Sequence, residues 1–420
     1  MNTFRQTDFV ATVGIDWADK KHDACLQAAN SEQREFVIIP HKVELIEEWA
    51  QSLYQRFGSP IAVAVELTKG PIVSALQKYD FFVIFPVNPS TLAKYREAFT
   101  PSRAKDDPTD AELALDLILR HPEHFKPLKP QSVEMRTLAL LVEQRRTLVN
   151  DKIRLTNRLR CALKQYYPQA LEWFEDIDTV LFCDFIERWP TLIQAKRARK
   201  NTLKTFFCEH NMRFAQVLER RLTAINKAMP LTRDEAVILP HQLLSLVFIE
   251  QLRITLQAIK RFDEEIEKLA SQHVDYGLFA PLPGAGPSLA PRLLVAFGED
   301  RERYHNAAEL QKCAAIAPVT ERSGNKHWVH WRWHCSTFLR QTFVEWAAQS
   351  INKSYWAGAY YRQQRAKGST HQAAVRALAF KWIRILYRCW QSRKPYDESL
   401  YLKALERRGS PLVKQLNGTT

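Results

Sequence analysis

Leu141, Leu148 and Leu155 stand seven residues apart, and Val142 and Val149 repeat that step one position on. Seven residues are close to two helical turns, so these side chains form one apolar stripe on a helix of roughly thirty residues. Leu252, Leu256, Ile259, Ile266 and Leu269 mark a second stripe, on a helix from about Leu243 to Ala270. Stripes of this length need a second helix to bury against, so the pair predicts antiparallel partners or a dimer seam.

The chain before the first stripe follows a shorter period. Thr12 to Trp17, Cys25 to Ala29, Phe36 to Ile39, Ile61 to Val65 and Phe81 to Val87 read as five strands. Val43 to Phe57 has a helical pattern, the turn at Lys69-Gly70-Pro71 opens a helix through Tyr79, and further helices start at Pro89 and about Asp107. This order predicts an α/β unit, a mixed sheet with helices on its faces. Residues 165–240 read as helical and basic, with Lys196, Arg197, Arg199, Lys200 and Lys204 crowded together. That cluster is either solvated helix surface or a phosphate contact. From Leu278 to Asp397 comes a mainly helical region with a Pro-Gly-x-Gly-Pro turn, a Trp/His-rich stretch and two helices separated by Gly358 to Gly368. The expected divisions are 1–125, 126–277, 278–397 and a tail, 398–420.

A chain of 420 residues is too long for a small disulfide scaffold, and its seven cysteines, without a Cys-x-x-Cys pair, suit reduced thiols. The net charge of +14 points to a polyanionic partner. With no uninterrupted apolar run of about 18 residues and no basic-then-apolar start, the expectation is a cytoplasmic protein without a membrane partner.

Four acids stand at the ends of elements, where they are either ordinary end residues or the makings of a site. Asp16 ends the first strand, Glu66 ends the fourth, and Asp107 and Asp110 open the helix after the fifth. If the first and fourth strands are neighbours, Asp16 and Glu66 emerge side by side, while Asp107 and Asp110 share a helix face. Carboxylates gathered in this way repel one another unless a hard divalent cation such as Mg2+ or Mn2+ reconciles them, and two such ions can clamp a phosphoryl transfer. Asp107-Pro108-Thr109-Asp110 is equally a good helix start, with Asp as the cap and Pro at the first position.

With these residues, the chain resembles a known family. Gly14-Ile15-Asp16-Trp17, Val65-Glu66 and Lys105-Asp106-Asp107-Pro108-Thr109-Asp110-Ala111 are similar to the Asp-Glu-Asp-Asp signature of the DEDD-type transposases of the insertion sequence 110 family. Leu282 to Pro287, Ala317 to Gly324 and Leu339-Arg340 resemble that family's C-terminal transposase domain, in the same order. The resemblance implies a first domain similar to RuvC and RNase H, with Asp16, Glu66, Asp107 and Asp110 as catalytic metal ligands. It further implies that Ser323 attacks DNA phosphorus and that donor and target DNA are recognised through a noncoding guide RNA. The long helices between the acids and the serine make a homo-oligomer, dimer or tetramer, the expected state, and leave open whether one active site is shared between protomers.

Read from the residues alone, Ser323-Gly324 is a turn, flanked by Arg322 and Lys326 as positive charge for a phosphate. Pro283-Gly284-Ala285-Gly286-Pro287 looks like a helix-hairpin-helix turn, where Gly284 and Gly286 let backbone N–H groups meet a DNA phosphate, or else a plain helix-joining turn. The stretch from His327 to Cys335 tempts a zinc reading, but an extended chain splits its histidines between faces. An aromatic and basic surface that includes Arg332, with Arg340 following, is the preferred reading, and buried tryptophans are the alternative. Cys335-Ser336 stands where many relatives have Gly-Asn, which leaves that turn open, and Ser336 is a weaker nucleophile candidate. The rival functions are a junction resolvase or structure-specific nuclease using water, and a non-catalytic nucleic-acid-binding regulator.

Overall fold

The computed structural model describes residues 8–99, 106–212, 214–333, 335–410 and 412, and the chain divides into two compact units, one ending at Pro130 and one beginning at Gln131.

In the first unit, β1 (Ala11–Trp17), β2 (Lys21–Ala28) and β3 (Arg34–Pro40) precede α1 (Val43–Phe57), β4 (Ile61–Val65), α2 (Pro71–Leu76), β5 (Phe82–Pro86), α3 (Pro89–Phe99) and α4 (Asp107–Arg120). The sheet runs β3-β2-β1-β4-β5, with β1, β2 and β3 antiparallel and β4 parallel to both β1 and β5. It is the mixed sheet that the pattern predicts. All five residues of β4 are buried because helices cover both faces, which is why the strand reads as a continuous apolar run. Ile61, Val63 and Val65 pack with Ile46, Ala50, Ile72 and Val73 of α1 and α2. Ala62 and Ala64 face the other side, against Leu113, Ala114 and Leu117 of α4.

The small residues on that second face let α4 lie close. A Cβ on Gly14 would stand 2.0 Å from the Ala111 carbonyl oxygen and 2.6 Å from the Leu115 nitrogen, so only glycine admits the helix there.

The second unit opens with α5 (Val133–Tyr166), followed by α6 (Gln169–Trp173), α7 (Val180–Arg188), α8 (Leu192–Arg197), α9 (Lys200–Glu209) and α10 (Ala215–Lys227). The second long helix, α11 (Glu235–Gln272), returns along α5, and Arg145 of α5 is ion-paired with Asp263 of α11. It starts earlier than its stripe predicts, because Pro240 is accommodated in the second turn behind an Asp234 cap. By length and composition α11 is the one helix, among the described residues, apolar enough to cross a membrane. It packs on α5 and α7 instead of standing alone, with Leu239, Leu243, Leu244, Val247 and Ile254 left exposed.

The remainder is α12 (Tyr276–Phe279), α13 (Gly286–Phe297), α14 (Ala307–Cys313), β6 (Val319–Ser323), β7 (Lys326–His330), α15 (Thr337–Ser350), α16 (Tyr355–Ala366), α17 (His371–Ser392) and α18 (Glu398–Arg407). Its core is aromatic, built on the fully buried Trp346, Trp356, Trp382, Trp390, Phe297 and Phe343, and it takes in Met135, Leu138 and Val142 of α5 and Ile266 and Ala270 of α11.

Two expectations need correction. The segment from Gly358 to Gly368 does not separate helices, since most of it is α16, and Gly358 is glycine because a Cβ there would meet the Ile351 carbonyl oxygen at 2.7 Å. Nor is the chain after Asp397 merely a tail. The Glu398 carboxylate accepts hydrogen bonds from Ser354 Oγ, Tyr355 N and Trp356 N at the start of α16, and Leu405 and Leu412 are buried in the aromatic core.

Candidate nucleic-acid-processing site

Antiparallel register sets Asp16 of β1 opposite Asp23 of β2, and parallel register sets Ile15 opposite Val65, so Glu66 follows beside Asp16. Because side chains alternate along a strand, Asp16 shares the face of Gly14, the face on which α4 lies. Adjacent strands are about 4.8 Å apart, so Asp23, Asp16 and Glu66 form a row across three strands. Ala111 of α4 is held over Gly14, with Asp110 immediately before it and Asp107 one turn earlier. Asp16, Glu66 and Asp107 are half-buried, and Asp110 is 2% exposed.

Asp107 and Asp110 are not caps. The helix is entered through Asp106, whose side chain makes no cap hydrogen bond and whose carboxylate instead accepts from Thr109 Oγ1 at 3.2 Å. The capping reading of Asp107 therefore fails, and its carboxylate lies inside the first turn.

Two cations attend this face. Arg96 of α3 donates from Nε and Nη2 to Asp110 Oδ1 at 2.6 and 2.5 Å, an ion pair shielded from water on both sides. Lys21 Nζ lies 3.0 Å from Asp23 Oδ2. The hydrogen bond to Asp23 raises the Lys21 ammonium above its ordinary pKa against the effect of burial, and the charges of Asp23, Asp107 and Asp106 add to the rise. Asp23, Lys21 and Arg96 escaped the sequence reading. The signal for Asp23 was the tight turn from Trp17 to Lys21, which dictates its pairing with Asp16, whereas nothing in sequence ties Arg96 to Asp110.

Among the described residues, no three His, Cys, Asp or Glu side chains converge into a group able to hold a metal ion. The donors nonetheless suit magnesium or manganese in kind, being all carboxylate oxygen, and in the backbone placement that lines them up on one face. Asp110, a buried carboxylate, already has a cation for a partner in Arg96.

In the second unit, Ser323 lies at the tip of an exposed hairpin not anticipated from the sequence. Ser323 pairs with Lys326 across a two-residue loop, Gly324-Asn325, and Gly324 has φ of +56°, as such a turn requires. Residues directly opposite share a face, so Lys326, Glu321 and Trp328 accompany Ser323, while Arg322 and His327 project from the other side. Of the two flanking cations, Lys326 is therefore the one beside the hydroxyl.

Trp328, Trp331 and Trp333 are 39%, 39% and 79% exposed, which rejects the reading of this stretch as buried tryptophans. The Arg376 guanidinium lies 3.4 Å from the centre of the Trp331 ring. His327 and His330 fall on opposite faces of the hairpin, so they do not form a zinc pair, and His334 lies outside the described residues. Arg332 and Arg340 are partly exposed on either side of Ser336. Ser336 caps α15 by accepting from Leu339 N at 3.3 Å.

Gly284 and Gly286 both have positive φ, but they differ in surroundings. A Cβ on Gly284 would come within 2.6 Å of the Gln349 carbonyl oxygen, so this glycine is required for packing on α15, whereas Gly286 faces open space.

Residues 13–168 match the profile of the DEDD transposases of IS110, and residues 276–362 match that of the transposase IS116/IS110/IS902 family. A protein of the IS117 mini-circle of Streptomyces coelicolor, assigned as its transposase, is 31% identical over 410 residues, covering 92% of this chain and 95% of that protein. The 43.6 kDa protein of insertion element IS110, also of Streptomyces coelicolor, is 25% identical over 68% of this chain and 71% of its own length. The 44.8 kDa protein of IS116 from Streptomyces clavuligerus is 26% identical over 67% and 70%.

Proposed function

This chain belongs to the transposases of the IS116/IS110/IS902 family, and from that premise we propose that it breaks and rejoins DNA through a serine ester, assisted by divalent cations. Ser323 Oγ attacks the phosphorus of a phosphodiester. An Oγ–P bond forms, one P–O bond to a deoxyribose breaks, the serine proton passes to solvent, and the leaving oxygen takes up a proton. The ester conserves the bond energy, so a hydroxyl of a second strand can attack the same phosphorus and free the serine. Lys326, on the same face as Ser323, holds the non-bridging oxygens as negative charge builds on them.

Asp16, Glu66, Asp107 and Asp110 are the residues that would hold magnesium or manganese. When bound there, the ion supplies Lewis-acid charge to the phosphoryl oxygens. What supports this reading above all is the face shared by Asp16, Glu66 and the first turn of α4, which the seating of α4 on Gly14 maintains. The strand order β3-β2-β1-β4-β5, antiparallel on one side and parallel on the other, supports kinship with RuvC and RNase H.

Arg322, Arg332, Arg340 and the open turn at Gly286, shaped by Gly284, contact DNA through its backbone. Family resemblance supports a noncoding RNA that pairs with donor and target while the protein attends to backbone and shape. The exposed leucines of α11 support a homo-oligomer, dimer or tetramer.

The decisive experiment incubates the chain with DNA carrying the ends of its element and Mg2+, then resolves the products under denaturing conditions. Wild type forms a protein–DNA adduct mapping to Ser323, while Ser323→Ala and Asp16→Ala form none. An adduct that survives Ser323→Ala, or undiminished cleavage by that variant, would assign the chemistry to water and favour a nuclease.

A further inference from the structure

Residues 169–275 lie outside both family profiles, yet α6 to α10 form a platform with its own core. Phe182, Phe185 and Phe207 are fully buried there, each ring edge-on, tilted or stacked against aromatic neighbours. The outer side of α8 and α9 is strongly charged. From Leu192 to Lys204 the chain carries five cations and no acid. Leu192, Ala195 and Leu203 turn inward, while Lys196, Arg197, Arg199, Lys200 and Lys204 are all exposed.

Two of these cations are engaged within the fold. Lys196 Nζ donates to the Ala228 carbonyl at 2.7 Å, and Lys200 Nζ pairs with Glu219 at 2.8 Å. Among the described residues, Arg197, Arg199 and Lys204 have no side-chain partner. Beside them, an open hollow of about 280 Å³ separates α8 and α9 from α10, with Lys196, Lys200, Thr223 and Asn226 as its polar lining.

We infer that this face is a second DNA-binding surface, which grips the phosphate backbone of duplex DNA away from the reacting phosphate. Like charges so closely spaced repel one another, and a polyanion relieves that repulsion while releasing its own counterions. Duplex fits better than single strand, because the rest of the hollow is aliphatic, including Ala195, Leu203 and Leu222, and offers no ring on which an unpaired base could stack. Arginines and lysines without a base-reading pocket hold DNA regardless of sequence, as suits DNA that flanks a reacting site. The inference rests on the reading of DNA as substrate, and it adds a contact outside the two matched family profiles.

The test uses the full chain and a labelled DNA duplex, with affinity measured by anisotropy over a range of salt. In Arg197→Gln/Arg199→Gln/Lys204→Gln, the slope of log affinity against log salt should become shallower by about 2 to 3, at roughly 0.9 per lost contact. Affinity near physiological salt should fall on the order of tenfold or more, with the Ser323 adduct still forming at saturating DNA. Lys204→Glu alone should weaken binding in the same direction, and Arg197→Lys/Arg199→Lys should retain the slope, so a folding defect in the triple variant would not hide the answer. Unchanged slope and affinity would reduce the cluster to solvated surface, and a loss confined to a structured RNA competitor would make it an RNA surface. Either result overturns the inference without touching the serine chemistry, which the adduct reports separately.

Discussion

Arg96 and Asp110 are charged residues that the fold has taken out of water, and neither is stable there without the other. Removing one member of a buried pair leaves an uncompensated charge and costs about 3–5 kcal/mol. Arg96→Met should therefore lower the stability of the first unit in chelator by roughly that amount, and a divalent cation that neutralises Asp110 should restore part of it. The check is the rise in melting temperature between EDTA and Mg2+. It should be larger in Arg96→Met than in wild type, and equal rises would show that Asp110 takes up no cation in place of Arg96. Gly14 belongs to the same scale. The sequence displayed it as part of Gly-Ile-Asp, but its reason is the helix backbone 2.0 Å from where a side chain would begin.

At the scale of elements, His210 ties α9 to α7 and α11. Its Nε2 is 2.7 Å from Asp184 Oδ2, and Asp184 also pairs with Arg253. Burial opposes the charge on His210, but hydrogen bonds to Asp184 and to the Phe206 carbonyl outweigh it and raise the imidazole above its ordinary pKa of 6.5. Burial likewise opposes the Asp184 carboxylate, and His210 and Arg253 together bring it below 3.8. A raised histidine contributes in full below pH 6.5 and is lost as pH climbs through its folded value, whereas a lowered aspartate is lost as pH falls through its own. The advantage of wild type over His210→Gln, about 0.5–1 kcal/mol for a partly exposed pair, should thus be greatest at mildly acid pH and shrink through neutrality. Urea unfolding at several pH values measures it, and an advantage that grows toward pH 8 would contradict this account. The hairpin at Ser323 shows where element reading fails. Its strands are exposed on both faces and carry no regular apolar alternation, and only Gly324-Asn325 hinted at a two-residue loop.

For the whole molecule, the aromatic core of the second unit depends on the end of the chain. Deleting everything after Pro395 removes the carboxylate that caps α16, the Tyr401 ring 4.9 Å from Trp356, and the buried Leu405. The loss is on the order of 3 kcal/mol or more, so a chain shortened there should melt several degrees lower or fail to fold cooperatively. Circular dichroism melting decides the point, and an unchanged midpoint would restore the residues after Asp397 to the status of a tail.

By itself, the sequence determined what depends on period and neighbours. The strands and helices of the first unit, apart from the start of β2 at Lys21, the two long helices, and the positions of Asp16, Glu66, Asp107 and Asp110 at element ends were legible, because side-chain periodicity and turn residues are local properties. Only the tertiary structure decided which of these ends meet. The pairing of Asp16 with Asp23, the capture of Asp110 by Arg96, the glycine demanded at 284 by the backbone of α15, and the anchoring of α18 beneath α16 all join residues brought together by packing. Such contacts follow from close approach of surfaces distant in the chain, and no local pattern encodes that approach.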